Sequence, residues 1–121
     1  MLARVSRWLG LSRPDEPNWI DSATLRRRCA GGDGVVVVDV REPEEFAGPP
    51  GHLPGAVNIP LGLVAGKAGE LAALARPIVV VCKTDRRSAR AASELVGAGL
   101  RDVAVLRSGT DGWHRQGLPL E

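Results

Sequence analysis

Aromatic side chains are nearly missing from this chain, which has three tryptophans, one phenylalanine and no tyrosine in 121 residues. A core of stacked rings is thereby excluded, and alanine, valine and leucine must fill the interior. Cysteine is as scarce, with two residues, which excludes a disulfide framework and points to a reducing, cytoplasmic setting. The two histidines, His52 and His114, and the cysteines are too dispersed for a metal site. No apolar run reaches the length of a membrane span, and Met1 to Leu11 lacks a signal-peptide cleavage pattern. Membrane association is not expected, although Arg4, Arg7 and Arg13 precede the first acid, Asp15, in a weak organelle-targeting pattern. A formal net charge of +2 is too small to imply nucleic acid. What is present is an ordinary globular balance, 44% hydrophobic and 25% charged, at a length that suits one compact domain.

The chain divides into a short extension, residues 1–17, and a body, residues 18–121. In the extension Leu2, Val5 and Leu9, with Trp8 beside them, fall at helical spacing, which fits a short amphipathic helix ended by Pro14 and Pro17. In the body strands and helices alternate. Asp21 is placed to cap a helix over Ser22 to Ala30, with Leu25 and Cys29 on its inner face. Val35 to Val40 is a β-branched run typical of a strand covered on both sides. A short helix starts at Pro43, a short strand covers Ala56 to Ile59, and Val64, Ala68, Leu71, Ala72 and Ala75 keep helical spacing. Ile78 to Cys82 reads as a second buried strand, Arg87 to Ala98 as a helix, Val103 to Leu106 as a strand, and Gly112 to Gln116 as a short closing helix. This order implies an α/β fold, a parallel sheet with helices on both faces and sites beyond the carboxyl ends of the strands.

Cys82 stands at one of those ends. After it come Lys83, Thr84, Asp85, Arg86, Arg87 and Ser88, none strongly apolar, and then a helix. A tight strand–loop–helix connection gathers backbone N–H groups into a positive nest. A thiol there is acidified by dipoles and nearby cations. Cysteine is also a good core residue; the polar, cationic loop tips the reading toward a nucleophile for an anionic electrophile. The positive charge of Lys83, Arg86, Arg87 and Arg90 is expected to attract anionic substrates.

Three segments carry a family resemblance. Asp39-Val40-Arg41-Glu42, Glu45-Phe46 and Gly51-His52-Leu53-Pro54-Gly55-Ala56-Val57-Asn58-Ile59-Pro60-Leu61 resemble the first signature of the rhodanese-like family. Val80-Val81-Cys82-Lys83-Thr84-Asp85-Arg86-Arg87-Ser88 resembles its active-site loop, and Val105-Leu106-Arg107-Ser108-Gly109 with Trp113 and Gly117-Leu118-Pro119 its closing segment. The match runs in order from about Trp19 to Glu121. The resemblance implies a small five-stranded parallel sheet and a catalytic cysteine, Cys82, that carries sulfane sulfur as a persulfide. In the family the sulfur comes from thiosulfate or a persulfide donor, including a protein persulfide, and goes to cyanide or a thiol. Lys83 to Ser88 would bind the substrate, with Arg87 as the family's loop arginine, and no metal or organic cofactor is implied. Three departures stand out. Asp85 sits where the family often has glycine; as a residue that tolerates a left-handed backbone it is expected to preserve the turn, and its charge to weaken thiosulfate binding or favour a protein persulfide donor. The stretch Ala47-Gly48-Pro49-Pro50 is slightly long and is expected only to lengthen a surface loop. The family's doubled glycine reads Ser108-Gly109.

The remaining residues have plainer readings. Asp39 and Arg41 either support the cysteine loop or, as favoured, form a partly buried ion pair that fixes the strand ends. His52 is expected to be structural, His114 and Cys29 to be packing residues, and Arg26–Arg28 a solvated helix face. Two rivals to a thiosulfate sulfurtransferase remain. One is a phosphatase or arsenate reductase using the same cradle, although Cys82 and Arg87 make C-x4-R, shorter than the C-x5-R loop of those enzymes. The other is a non-catalytic interaction module, against which the cysteine and its loop argue.

Overall fold

A computed structural model describes residues 17–121; the helix expected around Leu2, Val5 and Leu9 lies outside them. Five strands, β1 (Asn18–Ile20), β2 (Val36–Asp39), β3 (Val57–Asn58), β4 (Ile78–Val81) and β5 (Val103–Leu106), form one sheet in the order β1-β5-β4-β2-β3. Every pairing is parallel, with Val38 opposite Val80 and Val80 opposite Val105 at the centre. Five helices connect them: α1 (Ser22–Ala30), α2 (Pro43–Ala47), α3 (Leu61–Ala73), α4 (Arg86–Gly97) and α5 (Gly109–Arg115).

Side chains alternate across a strand, and here both faces are apolar. Val38, Val40, Ile78, Val80, Val103 and Val105 face α3 and α4, which contribute Val64, Ala68, Leu71, Ala91, Ala92 and Leu95. Val37, Val79, Val81, Ala104 and Leu106 face the other way, onto Leu25 and Trp113 of α1 and α5. The small alanines of α4 bring its axis close to β4 and β5. Trp113, one of the few aromatics, keeps its indole N–H satisfied by donating to the carbonyl of Pro119 at 2.7 Å.

Local chemistry sets the element ends. The Asp21 carboxylate accepts from the N–H of Thr24 at 2.7 Å and caps α1 as expected. Glu45 reaches back to the N–H of Glu42 at 3.0 Å and closes the first turn of α2. The structure adds β1, which the sequence reading left inside an undivided start, because three residues carry too little pattern to stand out. The last helix begins at Gly109, not Gly112, since Ser108 takes a left-handed backbone (φ 67°) and turns the chain straight into it.

Asp39 and Arg41, at the carboxyl end of β2, form a pair that is fully rather than partly buried, at 0% and 4% exposure. Arg41 Nε lies 3.0 and 3.1 Å from the two carboxylate oxygens and Nη2 lies 2.7 Å from Oδ2. Nη2 also donates to the carbonyl of Gly51 and Nη1 to that of Glu45. The Asn58 amide ties β3 to the same corner by donating to the carbonyls of Asp39 and Arg41. Such a pair is costly to break from one side, because the survivor keeps a desolvated charge. Arg41→Ala is expected to lower unfolding stability by about 3–5 kcal/mol in urea titration, and Asp39→Val/Arg41→Met to lose markedly less.

Candidate active site

The alternation that buries Ile78 and Val80 against α4 continues one residue past β4 and points Cys82 to the same side. Its side chain is 1% exposed, beneath the loop and the first turn of α4. Sγ lies 3.3 Å from Oγ of the buried Ser88, which in turn donates to the carbonyl of Asp85 at 3.2 Å. The sulfur is closed off from solvent and belongs to the apolar cluster that holds Val80, Ala91 and Ala92.

The loop's backbone polarity is set by α5. The N–H of Thr110 donates to the carbonyl of Cys82 at 2.9 Å, and that of Asp111 to the carbonyl of Lys83 at 3.0 Å. The carbonyls of Cys82, Lys83 and Thr84 crowd Gly109 so closely that a Cβ there would overlap all three, and Gly109 also has a positive φ of 53°. A trans peptide points its N–H opposite to its carbonyl. The N–H groups of Lys83, Thr84 and Asp85 therefore turn away from α5. Within α4 the first backbone bond to the loop comes from Ala89, which donates to Asp85. Among the described residues, none of the six N–H groups from Lys83 to Ser88 donates to another protein group. Six neighbouring unpaired donors, three at a helix N-terminus, form an anion cradle.

The side chains of the loop are less free than their sequence implies. Lys83 is paired with Asp111 at 3.1 Å. Arg87 forms a two-pronged bond with Glu45 of α2 at 2.6 and 3.0 Å, and Arg90 lies 3.8 Å from Glu94. Arg86 alone among these cations has no carboxylate partner among the described residues. The Arg87 pair holds the Glu45 carboxyl down to about 2, against an ordinary 4.5, chiefly through the hydrogen bond and despite partial burial. Arg87 is raised in turn, first by Glu45 and less by Cys82 and Asp39, both of which lie within electrostatic reach. Asp85 caps α4 without a side-chain hydrogen bond and has φ −150°. The left-handed conformation expected there is not adopted, so this position demands no glycine.

Asp39 and Arg41 stand behind the loop. Arg41 bonds the carbonyl of Glu45, whose carboxylate grips Arg87, so the buried pair and the loop are mechanically linked. In the sequence Glu45 stands only within the segment Glu45-Phe46 that carries the resemblance, with no role of its own. His52 is structural, stacked on Phe46 at 3.8 Å and bonded to its carbonyl at 3.0 Å. Two packing expectations fail. Cys29 is exposed, at a cavity it lines with Leu25, Val37, Leu53 and Trp113. His114 is exposed because Gly112 and Trp113 supply the inner face of α5.

The model of the rhodanese-like domain matches residues 21–116. The chain is a rhodanese-like domain. It is 36% identical over 103 residues to a sulfurtransferase of Allochromatium vinosum, spanning 85% of this chain and 94% of that protein. It is 39% identical over 80 residues to a thiosulfate sulfurtransferase of Pseudomonas syringae, spanning 66% and 73%. Several other curated relatives are longer, and the rhodanese-like chain spans 47% to 65% of them. Among solved structures it superimposes with a TM-score of 0.79 and 26% identity on a protein of unknown function from Rhodopseudomonas palustris described as a possible tyrosine phosphatase, covering 87% and 85% of the two chains.

The Glu45–Arg87 bond has a defined pH signature. A carboxyl lowered on folding adds stability above its unfolded value and loses it as pH falls through the folded one. The stability gap between the parent and Glu45→Gln is expected to be constant above pH 4.5 and to close between pH 4.5 and about 2, as read by urea unfolding at successive pH values.

Proposed function

We propose that this domain is a sulfurtransferase that carries sulfane sulfur as a persulfide on Cys82. The observation that carries this reading is the run of six unpaired N–H groups, Lys83 to Ser88, directly after a cysteine at a strand end. Cys82 thiolate attacks the outer sulfur of a donor, a new S–S bond forms, and the old one breaks with its electron pair on the leaving group. From thiosulfate that group is sulfite; from a persulfide, a thiolate. A thiol or cyanide then attacks the outer sulfur of the Cys82 persulfide and returns the thiolate. Unpaired N–H donors in the loop that follows the cysteine would stabilise the anion at both stages with little rearrangement. Ser88 is a hydroxyl within reach of Sγ and serves to orient it. The names of the Allochromatium and Pseudomonas relatives agree with this chemistry. The two free thiols suit a reducing, cytoplasmic setting.

Phosphoryl or arsenate chemistry is less well served. A tetrahedral oxyanion needs a long loop and a free arginine, whereas here the loop is C-x4-R and Arg87 is held by Glu45. The decisive measurement is intact mass after incubation with thiosulfate or a low-molecular-weight persulfide. One sulfur atom is expected to add to the parent, to be removed by cyanide, and to be absent from Cys82→Ser. A folded, reduced parent that stays unmodified with every donor yet hydrolyses an aryl phosphate would overturn the proposal. Full biological effect of Cys82→Ser would instead favour a docking module.

A further inference from the structure

The sequence puts four cations in and after the loop, Lys83, Arg86, Arg87 and Arg90. The fold cancels nearly all of that charge. Asp111 comes from α5 to Lys83, Glu45 from α2 to Arg87, and Glu94 from the next turn of α4 to Arg90. Arg86 is left, beside the half-buried Asp85, whose carboxylate makes no bond among the described residues. Behind the loop Arg41 is neutralised by Asp39. Arg107, at the end of the neighbouring β5, is turned outward onto the ring of Trp19 on the edge strand, 4.9 Å away. The cradle with its surround thus holds five cations, Arg41, Lys83, Arg86, Arg87 and Arg90, and five carboxylates, Asp39, Glu45, Asp85, Glu94 and Asp111. Its side-chain cations are largely paired with carboxylates, so peptide dipoles supply most of its attraction for an anion.

That balance bears on the donor. Attack on thiosulfate brings together three negative charges, one on the thiolate and two on the donor. Attack on a persulfide anion brings together two. Dipoles at short range stabilise the charge on the sulfur they touch, but only net charge offsets repulsion from a distant sulfonate. We propose that the Cys82 cradle is built for a singly charged persulfide donor, R–S–S⁻, and that Asp111 and Asp85 set this preference by cancelling the cations that would otherwise hold a dianion. The inference rests on the sulfurtransferase reading and narrows its donor. The step is balanced: Cys82 thiolate bonds to the outer sulfur, the donor's S–S bond breaks, and R–S⁻ leaves with its electron pair. The total charge is unchanged, with no proton or oxidant required.

Asp111 tests this well, because its carboxylate touches only Lys83 while its backbone N–H, which anchors the loop, survives substitution. Second-order rate constants for sulfur addition to Cys82 are measured by quenched intact mass at low ionic strength, with thiosulfate and with cysteine persulfide. Asp111→Asn is expected to raise the thiosulfate constant about three- to tenfold and the cysteine persulfide constant less than about twofold, with the gain erased by high salt. Asp85→Asn is expected to raise the thiosulfate constant in the same way. Unchanged ratios between the two donors in both variants, with sulfur still added, would sink this inference and leave the sulfurtransferase standing. No sulfur on Cys82 from either donor in the parent would bring down both.

Discussion

Two backbone hydrogen bonds, from Thr110 and Asp111 of α5 to the carbonyls of Cys82 and Lys83, decide the polarity of the site. A loop that leads from a strand into a helix can satisfy its carbonyls or its N–H groups locally, and here α5 takes the carbonyls. The three peptides after Cys82 then have only one direction left for their N–H groups, and the first turn of α4 adds three more with no carbonyl in reach. The same contact explains Gly109. Carbonyl oxygens that converge on α5 leave no room for a Cβ, so the residue that closes the site lies 27 positions downstream of the cysteine it serves. Unpaired donors are costly when withdrawn from water. They are tolerated at the edge of a rigid sheet whose two valine-rich faces supply the stability.

Much of this was legible in the sequence, for identifiable reasons. Val36 to Asp39 and Ile78 to Val81 are β-branched runs in which only a doubly covered strand fits, and their ends place Asp39 and Cys82 at one edge. Helix α4 was legible through Ala91, Ala92, Leu95 and the polar residues between them. Other features depend on pairing across the fold. Strand β1 exists because Trp19 finds Val105, which three residues cannot announce. Cys29 shares a helix face with Leu25, yet helix spacing says nothing of the cavity that the fold leaves beneath it. Ser108 stands in a left-handed conformation that a glycine would take more cheaply, so the local turn was masked by the residue that fills it.

The charges teach the opposite lesson. Lysine and arginine near a cysteine in sequence suggest an electropositive site, but side chains of this length are free to pair with whatever the fold brings near. Asp111 and Glu45 lie 28 and 42 residues from their partners, and neither distance can be read from local pattern. What the sequence does encode reliably is the dipole part of the field. It follows from strand, loop and helix in succession, and it survives when the side-chain charges cancel.

This division shapes selectivity. A net positive cleft binds any anion in proportion to its charge and is weakened by salt at every distance. A ring of N–H donors acts over a bond length or so, on the one atom that fits within it. Cys82 is buried, Ser88 touches its sulfur, and Arg87 is held aside by Glu45, so the loop arginine is not free to clasp an oxyanion. The Asp39–Arg41 pair contributes from behind by bonding the carbonyl of Glu45. It thereby ties α2, and through Glu45 the Arg87 guanidinium, to the end of β2. In the proposed sulfur transfer, selectivity would therefore rest on backbone geometry and on charges that have been tied down, more than on any side chain pointed at the substrate.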